Sequence, residues 1–251
     1  MASSTSPTPN ALPTAPPSVL PFDPRSLPVW AEATRVLQQQ PAVPAAHLQA
    51  AALQRRFAAP PAWQVEPRHE YWPAAWPQPR AAAVLIGLQA FDAEDASLHV
   101  LLTQRGQHLD VHPGQIAFPG GKIDAGDAHA TAAALREAQE EVGLPPDQVQ
   151  VLGELLPYET GTGYRVTPVV ALLPAEATLH PNPQEVADVF RVPLAFLMNP
   201  ANHRKHQWQA SPNQRREWFS MPYLDAASGQ ERFIWGVTAG ILRDLYRFLS
   251  T

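Results

Sequence analysis

Three glutamates with helical spacing are the residues of this chain best suited to do chemistry. Glu137 and Glu141 are four residues apart and Glu140 lies between them, so in a helix the three side chains share one face. Like charges at this spacing destabilise a bare helix by roughly a few tenths of a kcal/mol per pair, and a bound cation reverses that effect. Carboxylate oxygens suit Mg²⁺ or Mn²⁺, which commonly bridge protein carboxylates and substrate phosphates. The pattern indicates a metal site, although a solvated acidic face has the same spacing.

The sequence around these glutamates predicts a helix from Asp127 to Val142. Asp127 is expected to cap its N-terminus, and Gly143 stands where a C-terminal glycine ends a helix, with two prolines shortly after it. Leu135, Ala138 and Val142 recur with helical period and are expected to face the core.

A glycine-containing loop precedes this helix, with the sequence Phe118-Pro119-Gly120-Gly121-Lys122-Ile123-Asp124. Two glycines let the backbone approach a ligand closely, and they can leave a carbonyl free to coordinate a metal. The loop therefore strengthens the interpretation of the acidic helix as a metal site.

The patterns on either side of this centre mix strands and helices. Apolar runs that suit buried strands cover residues 82–88, 99–104, 149–155 and 164–173, and a further pair of strands is predicted at 215–223 and 231–235. Residues 184–189 fit either a turn of helix or a strand, residues 192–197 begin a small helix, and residues 237–249 form an amphipathic final helix. Because strands and helices do not alternate regularly, we predict an α+β fold, an α-β-α sandwich with a mixed sheet.

Proline divides the N-terminal part of the chain. Residues 1–28 hold eight of the 29 prolines and are predicted to be a disordered proline-rich tail. Residues 29–79 are expected to hold two short helices, separated by Pro41 and Pro44, and an irregular linker. The main domain is then expected over residues 80–251.

Composition excludes several function classes. The formal net charge of -5 argues against a nucleic-acid binder, and the absence of cysteine excludes disulfides, thiolate zinc sites and cysteine nucleophiles. No apolar run approaches the roughly 18 residues that cross a bilayer, and the N-terminus lacks the features of a secretory signal. We therefore expect a cytoplasmic protein that needs neither nucleic acid nor membrane.

The loop and helix together resemble the box of the Nudix hydrolases, G-x5-E-x7-R-E-U-x-E-E-x-G-U, where U is aliphatic. The positions that match are Gly121, Arg136, Glu137, Ala138, Glu140, Glu141, Gly143 and Leu144. Asp127 stands in for the first glutamate, with eight residues rather than seven before Arg136. The resemblance implies a Nudix-like fold and a metal-dependent hydrolase of pyrophosphate linkages.

Other segments resemble the coenzyme A pyrophosphatase branch of that family. The run from Leu101 to Gly121 looks like the branch motif L-L-T-x-R-S-x-x-L-R-x-H-x-G-Q-V-x-F-P-G-G, and residues 162–170 and 235–242 also look like that branch. Two positions depart from it, because Gly106 replaces the serine and Asp110 replaces the second arginine. Asp110 reverses a charge where a phosphate-bearing substrate could be met.

The resemblance implies a set of site residues. Glu137 and Glu141 would bind Mg²⁺ or Mn²⁺, with Glu140 and the Gly121 carbonyl as further ligands. Catalytic roles fall to Glu140, to Arg136, which would pair with a glutamate and hold its rotamer, and to a general base, for which Glu185 is the first candidate and Glu159 a weaker one. An exposed loop carboxylate is an equally open interpretation of Glu185. The substrate-binding residues implied by the resemblance are Arg105, His112, Gln115 and Gly120.

The leading hypothesis is hydrolysis of coenzyme A or acyl-coenzyme A to 3′,5′-ADP and 4′-phosphopantetheine or its acyl form. A second is a Nudix hydrolase for another nucleoside diphosphate derivative, such as ADP-ribose or a dinucleotide, and a third is a nucleotide-sensing module without catalysis. The expected partner is a small nucleotide, and a homodimer is compatible with the sequence. The histidines at 108, 203 and 206 fit no metal motif and are expected at the surface, and Trp208 and Trp218 are expected to pack on strands.

Overall fold

The computed structural model describes residues 23–67, 79–90, 97–109, 113–211 and 214–251. Its helices are α1 (Ala31–Gln38), α2 (Ala50–Ala58), α3 (Ala130–Val142), α4 (Leu194–Leu197) and α5 (Gly236–Ser250). Its strands are β1 (Arg80–Ala90), β2 (Leu98–Arg105), β3 (Ile116–Ala117), β4 (Gly120–Lys122), β5 (Gln150–Glu154), β6 (Tyr158–Glu159), β7 (Tyr164–Leu173), β8 (Val186–Pro193), β9 (Arg204–Ser211), β10 (Gln214–Leu224) and β11 (Glu231–Trp235).

The strands of the described residues form two sheets. The larger has eight strands, with the order β3-β2-β1-β7-β5, while β4 pairs with β1, β6 with β7 and β8 with β2. The pairing of β1 with β7 is parallel and the other pairings are antiparallel, so the sheet is mixed. The smaller sheet is antiparallel, with the order β11-β10-β9.

The large sheet is covered by helices on both faces because its central strand is apolar on both. Ala83 and Leu85 of β1 pack with Ala134 and Ala138 of α3, in a cluster of small and aliphatic side chains. The alternate residues of β1, among them Ile86, point to the other face and join the cluster that contains the apolar side of α5. The described chain is therefore an α+β fold with an α-β-α sandwich, as predicted.

The N-terminal helices share this second cluster. Leu37 at the end of α1 and Leu53 of α2 are buried in it, and the ring of Phe57 lies 4.8 Å from that of Phe248 in α5. As predicted, one helix ends before Pro41 and the other begins after Pro44.

A buried polar network joins the same segments. The guanidinium of Arg243 in α5 is fully buried; its Nε donates to Glu66 Oε2 at 2.9 Å, and another of its nitrogens donates to Gln40 Oε1. Nη1 of Arg243 lies 3.3 Å from Nδ1 of His203, which is also buried.

Several predicted boundaries were wrong or incomplete. Helix α3 begins at Ala130 with His129 as its cap, so Asp127 is not the N-cap. Of the two alternatives left open for residues 184–189, a turn of helix or a strand, the structure has the strand, because β8 begins at Val186; strand β9 was not predicted at all. No helix in the described parts of the chain is long and apolar enough to cross a membrane.

Candidate active site

Helix α3 carries the three glutamates on the side facing the glycine loop. The imidazole of His129 caps the helix by accepting from the backbone N–H of Ala132 at 3.1 Å. Gly143 ends it in the left-handed region with φ 68°, where glycine avoids the strain of a side chain. Ala134, Ala138 and Val142 of α3 are buried against the sheet, which fixes the rotation of the helix about its axis.

Glu141 is the most buried of the three glutamates, with its side chain 5% exposed. Its Oε2 accepts a hydrogen bond from the backbone N–H of Gly120 at 3.1 Å, and its Oε1 lies 3.7 Å from Nη1 of Arg105. Burial raises the pKa of Glu141 to about 7, although the Gly120 N–H and the Arg105 charge act in the opposite direction. Glu141 therefore joins the helix, the glycine loop and the end of β2 at one point.

Arg136 holds the rest of the acidic cluster. Its Nε and Nη2 bind the two carboxylate oxygens of Asp127 at 3.1 and 2.9 Å, a bidentate pairing. Its Nη1 donates to Glu137 at 3.0 Å and to Glu140 at 3.2 Å, and its Nη2 also donates to the Lys122 carbonyl. Hydrogen bonds from Arg136 hold the pKa of Asp127 below its ordinary value. Asp127 thus anchors the arginine to the loop.

Glu137 lies directly against the backbone of the glycine loop. A Cβ built on Gly121 would come within 2.5 Å of the Glu137 carboxyl carbon, so a side chain at residue 121 and the observed carboxylate cannot coexist. Gly120 meets the same restriction on its other side, where a Cβ would lie 2.7 Å from Cα of Val84. Burial, and next the charges of Glu140 and Glu185, raise the pKa of Glu137, while Arg136 opposes them.

Glu185 lies close enough to this cluster for its charge to raise the pKa of both Glu137 and Glu141. It belongs to a turn that the backbone N–H of Asn182 ties to the carbonyl of Glu141 at 2.9 Å. Within the turn, the backbone N–H of Glu185 donates to the Asn182 carbonyl at 3.0 Å. The other base candidate, Glu159, forms an exposed ion pair with Arg165 at 2.6 Å.

Three of the four residues expected to bind substrate, Arg105, Gln115 and Gly120, lie in the described part of the chain. The Gln115 carbonyl accepts from the backbone N–H of Arg105 at 2.9 Å, so these two residues are neighbours, and Gly120 is joined to Glu141 as described. His112 and Asp110 lie outside the described residues.

Two histidines that sequence reasoning expected at the surface are buried instead. His203 Nε2 is 2.7 Å from the Leu197 carbonyl, and His206 Nε2 is 2.8 Å from the Ser220 hydroxyl. The His206 ring stacks on Trp218 with centroids 5.6 Å apart. The expectation of surface histidines was wrong because Nε2 of each ring finds a hydrogen-bond partner in the interior, the Leu197 carbonyl for His203 and the Ser220 hydroxyl for His206.

The acidic cluster offers carboxylate oxygens to a divalent cation. Across the described residues, no three acidic or histidine side chains are already gathered as a preformed metal site, since Arg136 and Arg105 occupy the carboxylate oxygens. The donor set nevertheless fits Mg²⁺ or Mn²⁺, because it offers only oxygen atoms. A cation there would stabilise the ionised forms of Glu137 and Glu141, whose pKa values burial has raised.

Three residues near the site were not singled out by sequence reasoning as functional. Thr238 donates its hydroxyl to the Ile116 carbonyl at 2.9 Å, just before the glycine loop. Arg232 donates to Gln104 at 3.3 Å and pairs with Asp188 at 2.6 Å. His108, expected from the sequence only to be a surface residue, lies 2.9 Å from the Gln184 carbonyl. Thr238 lies in residues 235–242, which look like the coenzyme A pyrophosphatase branch, and this resemblance was the sequence signal that could have identified it.

Comparison with known families agrees with this geometry. The NUDIX domain family matches residues 78–227, more than half of the chain. The chain belongs to the Nudix hydrolase family. It is therefore an enzyme that acts on phosphoanhydride bonds, and Nudix hydrolases generally use divalent metals such as Mg²⁺ or Mn²⁺.

This Nudix hydrolase has close relatives in bacteria. It is 42% identical over 166 residues to the uncharacterized Nudix hydrolase NudL of Enterobacter sp. (strain 638), which covers 66% of this chain and 81% of the relative. It is 44% identical over 146 residues to the protein of the same name from Cronobacter sakazakii (strain ATCC BAA-894), covering 58% of this chain and 72% of the relative. Among solved structures, the MutT/nudix family protein from Enterococcus faecalis matches with a TM-score of 0.42 and 17% identity, over 90% of this chain and 76% of that one.

Proposed function

We propose that this Nudix hydrolase cleaves the pyrophosphate bond of coenzyme A or acyl-coenzyme A, giving 3′,5′-ADP and 4′-phosphopantetheine or its acyl form. One observation carries the proposal. The segment that resembles the coenzyme A branch meets the acidic helix directly, because Arg105 and the Gly120 N–H both contact the buried carboxylate of Glu141. The residues that resemble the branch therefore belong to the same site as the expected metal ligands.

In this proposal, Glu137 and Glu141 hold Mg²⁺ or Mn²⁺, and Glu140 and the Gly121 carbonyl complete the protein ligands. When bound, the metal neutralises the diphosphate oxygens and acidifies a water molecule. Arg136 is a positioning residue, since its contacts with Asp127 and Lys122 hold it while it bonds to Glu137 and Glu140.

The proposed general base is Glu185. The charge of Glu185 raises the pKa of Glu137 and of Glu141, and its turn is hydrogen-bonded to the end of α3. The Glu185 carboxylate is therefore placed near the acidic cluster, where it could accept a proton from a water molecule. Glu159 is a poorer candidate because its carboxylate is paired with Arg165.

Arg105 and Gln115 are proposed to meet the substrate, together with the Gly120 backbone and with His112. Arg105 lies at the end of β2, where its side chain is 29% exposed, so its guanidinium could turn from Glu141 toward a phosphate if a metal bound to Glu141. This exchange would couple metal binding to substrate binding.

A second substrate class is favoured by one specific observation. Gly106 stands where the branch has serine, and the His108 ring fills the space beside it, so the substrate loop differs locally from the branch pattern. Another nucleoside diphosphate derivative, such as ADP-ribose or a dinucleotide, is therefore the alternative substrate.

A substrate panel tests the proposal. The full-length protein is incubated with Mg²⁺ or Mn²⁺ and coenzyme A, acetyl-coenzyme A, ADP-ribose, NADH or diadenosine polyphosphates, and products are separated by chromatography. Release of 3′,5′-ADP from coenzyme A supports the proposal, and loss of all activity with a chelator supports the metal. Hydrolysis of the other substrates alone would refute the choice of coenzyme A.

A further inference from the structure

We propose that His108 is a positioning residue for Glu185, that the glycine at position 106 leaves room for its ring, and that this arrangement contributes to the rate of the reaction. The inference rests on the proposed function, in which Glu185 is the general base. It concerns a histidine that occupies an unspecified position of the branch motif.

The turn that carries Glu185 is held from two sides. On one side, the Asn182 N–H donates to the carbonyl of Glu141, which joins the turn to the acidic helix. On the other side, the backbone N–H of Gly106 donates to the Glu185 carbonyl at 2.9 Å. Because Gly106 directly follows Arg105, the turn connects the proposed substrate-binding arginine with the proposed metal ligands.

His108 adds a second bond on the Gly106 side. Its Nε2 is 2.9 Å from the carbonyl of Gln184, one residue before the proposed base. A carbonyl only accepts, so Nε2 carries the hydrogen in either the neutral tautomer or the charged ring. Two successive carbonyls of the turn, those of Gln184 and Glu185, are therefore held by residues 108 and 106.

The glycine at 106 is what leaves room for this arrangement. A Cβ built on Gly106 would lie 2.6 Å from Cε1 and 3.0 Å from Nδ1 of His108, closer than side chains approach each other. A serine at 106 would push the ring away from Gln184. Gly106 and His108 thus form a matched pair, and the departure from the branch serine has a structural counterpart two residues later.

His108 is exposed, so its bond competes with water and its loss should not unfold the protein. Removing one such bond corresponds to about a fivefold effect on the equilibrium that it supports. We therefore expect His108→Ala to lower kcat by about fivefold with little change in KM. His108→Gln, whose amide can donate to the same carbonyl, should recover activity to within about twofold.

Hydrogen–deuterium exchange tests the positioning without any need for turnover. Peptides that cover residues 182–189 should exchange faster in His108→Ala and in Gly106→Ser than in the wild type, and the double variant should not exceed His108→Ala. His47→Ala, which removes another exposed histidine outside the site, is the matched control. Unchanged exchange in both single variants would overturn the inference.

A double-mutant cycle tests the connection to Glu185. If His108 acts through the base, His108→Ala should slow the wild type but cause no further loss in a Glu185→Gln background. An equal loss in both backgrounds would show that His108 acts elsewhere. A wild type that hydrolyses none of the panel would instead contradict the proposed function, and the exchange measurement would then decide on the positioning alone.

Discussion

The carboxylate of Glu141 accepts a hydrogen bond from the backbone N–H of Gly120 at 3.1 Å, within a site that raises its pKa to about 7. Protonated Glu141 cannot bind a cation, so the affinity for Mn²⁺ should fall as the pH falls below 7, by about tenfold per pH unit. Titration calorimetry at pH 6, 7 and 8 measures this dependence. A Glu140→Gln variant, which leaves Glu141 intact, should keep the same slope, and a flat response from pH 6 to 8 would contradict the assignment.

Glu141→Gln should lose at least about 100-fold in activity while it gains stability in the absence of metal. The folded-state pKa of Glu141 lies above the ordinary value of 4.5, so the stabilisation it gives is complete below pH 4.5 and is lost as the pH rises through about 7. At pH 8, replacement by a neutral amide should therefore stabilise the metal-free protein by on the order of 1–3 kcal/mol. Thermal unfolding with a chelator at pH 8 measures this, and a lower melting temperature than that of the wild type would be the contrary result.

Gly121→Ala should reduce kcat by about 10- to 100-fold, because the new Cβ would displace the carboxylate of Glu137. Gly126→Ala is the matched control in the same loop, since no atom of the described residues lies within 4 Å of a Cβ built there. Steady-state kinetics of the two variants gives the comparison. Equal effects of the two substitutions would mean that the loop tolerates no side chain anywhere and that Glu137 is not the reason.

Arg232→Ala should destabilise the protein by about 2–4 kcal/mol, because Arg232 is buried and bonds to Asp188, Asp225 and Gln104. Arg165→Ala removes a cation from an exposed pair and should cost less than about 1 kcal/mol. Urea unfolding of both variants compares them. A loss below about 1 kcal/mol for Arg232→Ala would show that the small sheet is held to the site without it.

Acid should destabilise the protein through His203. Burial, with a further contribution from the Arg243 charge, lowers the pKa of His203 to about 4. The unfolded chain takes up a proton near pH 6.5 and the folded chain only near pH 4, so stability is lost as the pH falls between these values. A His203→Gln variant should lose stability less steeply over this range in chemical denaturation, whereas His47→Gln should follow the wild type. Identical slopes for all three proteins would remove His203 as the cause.

Local chemistry explains why the centre of the site could be predicted from sequence. The helical spacing of Glu137 and Glu141, the glycine loop and the terminating Gly143 are all encoded within two dozen residues, and the structure has them as expected. The error at the start of α3 is also local. Asp127 is a good capping residue, but its carboxylate is engaged by Arg136, and His129 caps the helix instead.

The contacts that were missed depend on partners far away in the chain. The sequence of β9 is polar and basic and does not indicate a strand. The segment is a strand because it pairs with β10. The position of Glu185 depends on two backbone hydrogen bonds, from the Gly106 N–H to the Glu185 carbonyl and from the Asn182 N–H to the Glu141 carbonyl. Residue spacing in the sequence does not indicate either of them. Arg232 likewise meets Gln104 across 128 residues of sequence.

The fully buried guanidinium of Arg243 has a consequence for how this enzyme can be shortened. Its counter-charge, Glu66, and its hydrogen-bond acceptor, Gln40, both precede the region that the NUDIX family matches, which starts at residue 78. A fragment that starts at residue 78 and continues through α5 would keep every proposed ligand of the acidic cluster, but Arg243 would lose its carboxylate partner Glu66 and its acceptor Gln40, at a cost of several kcal/mol. The family match therefore begins later in the chain than the segment that a stable protein needs. An expressed form of this hydrolase should begin before Gln40.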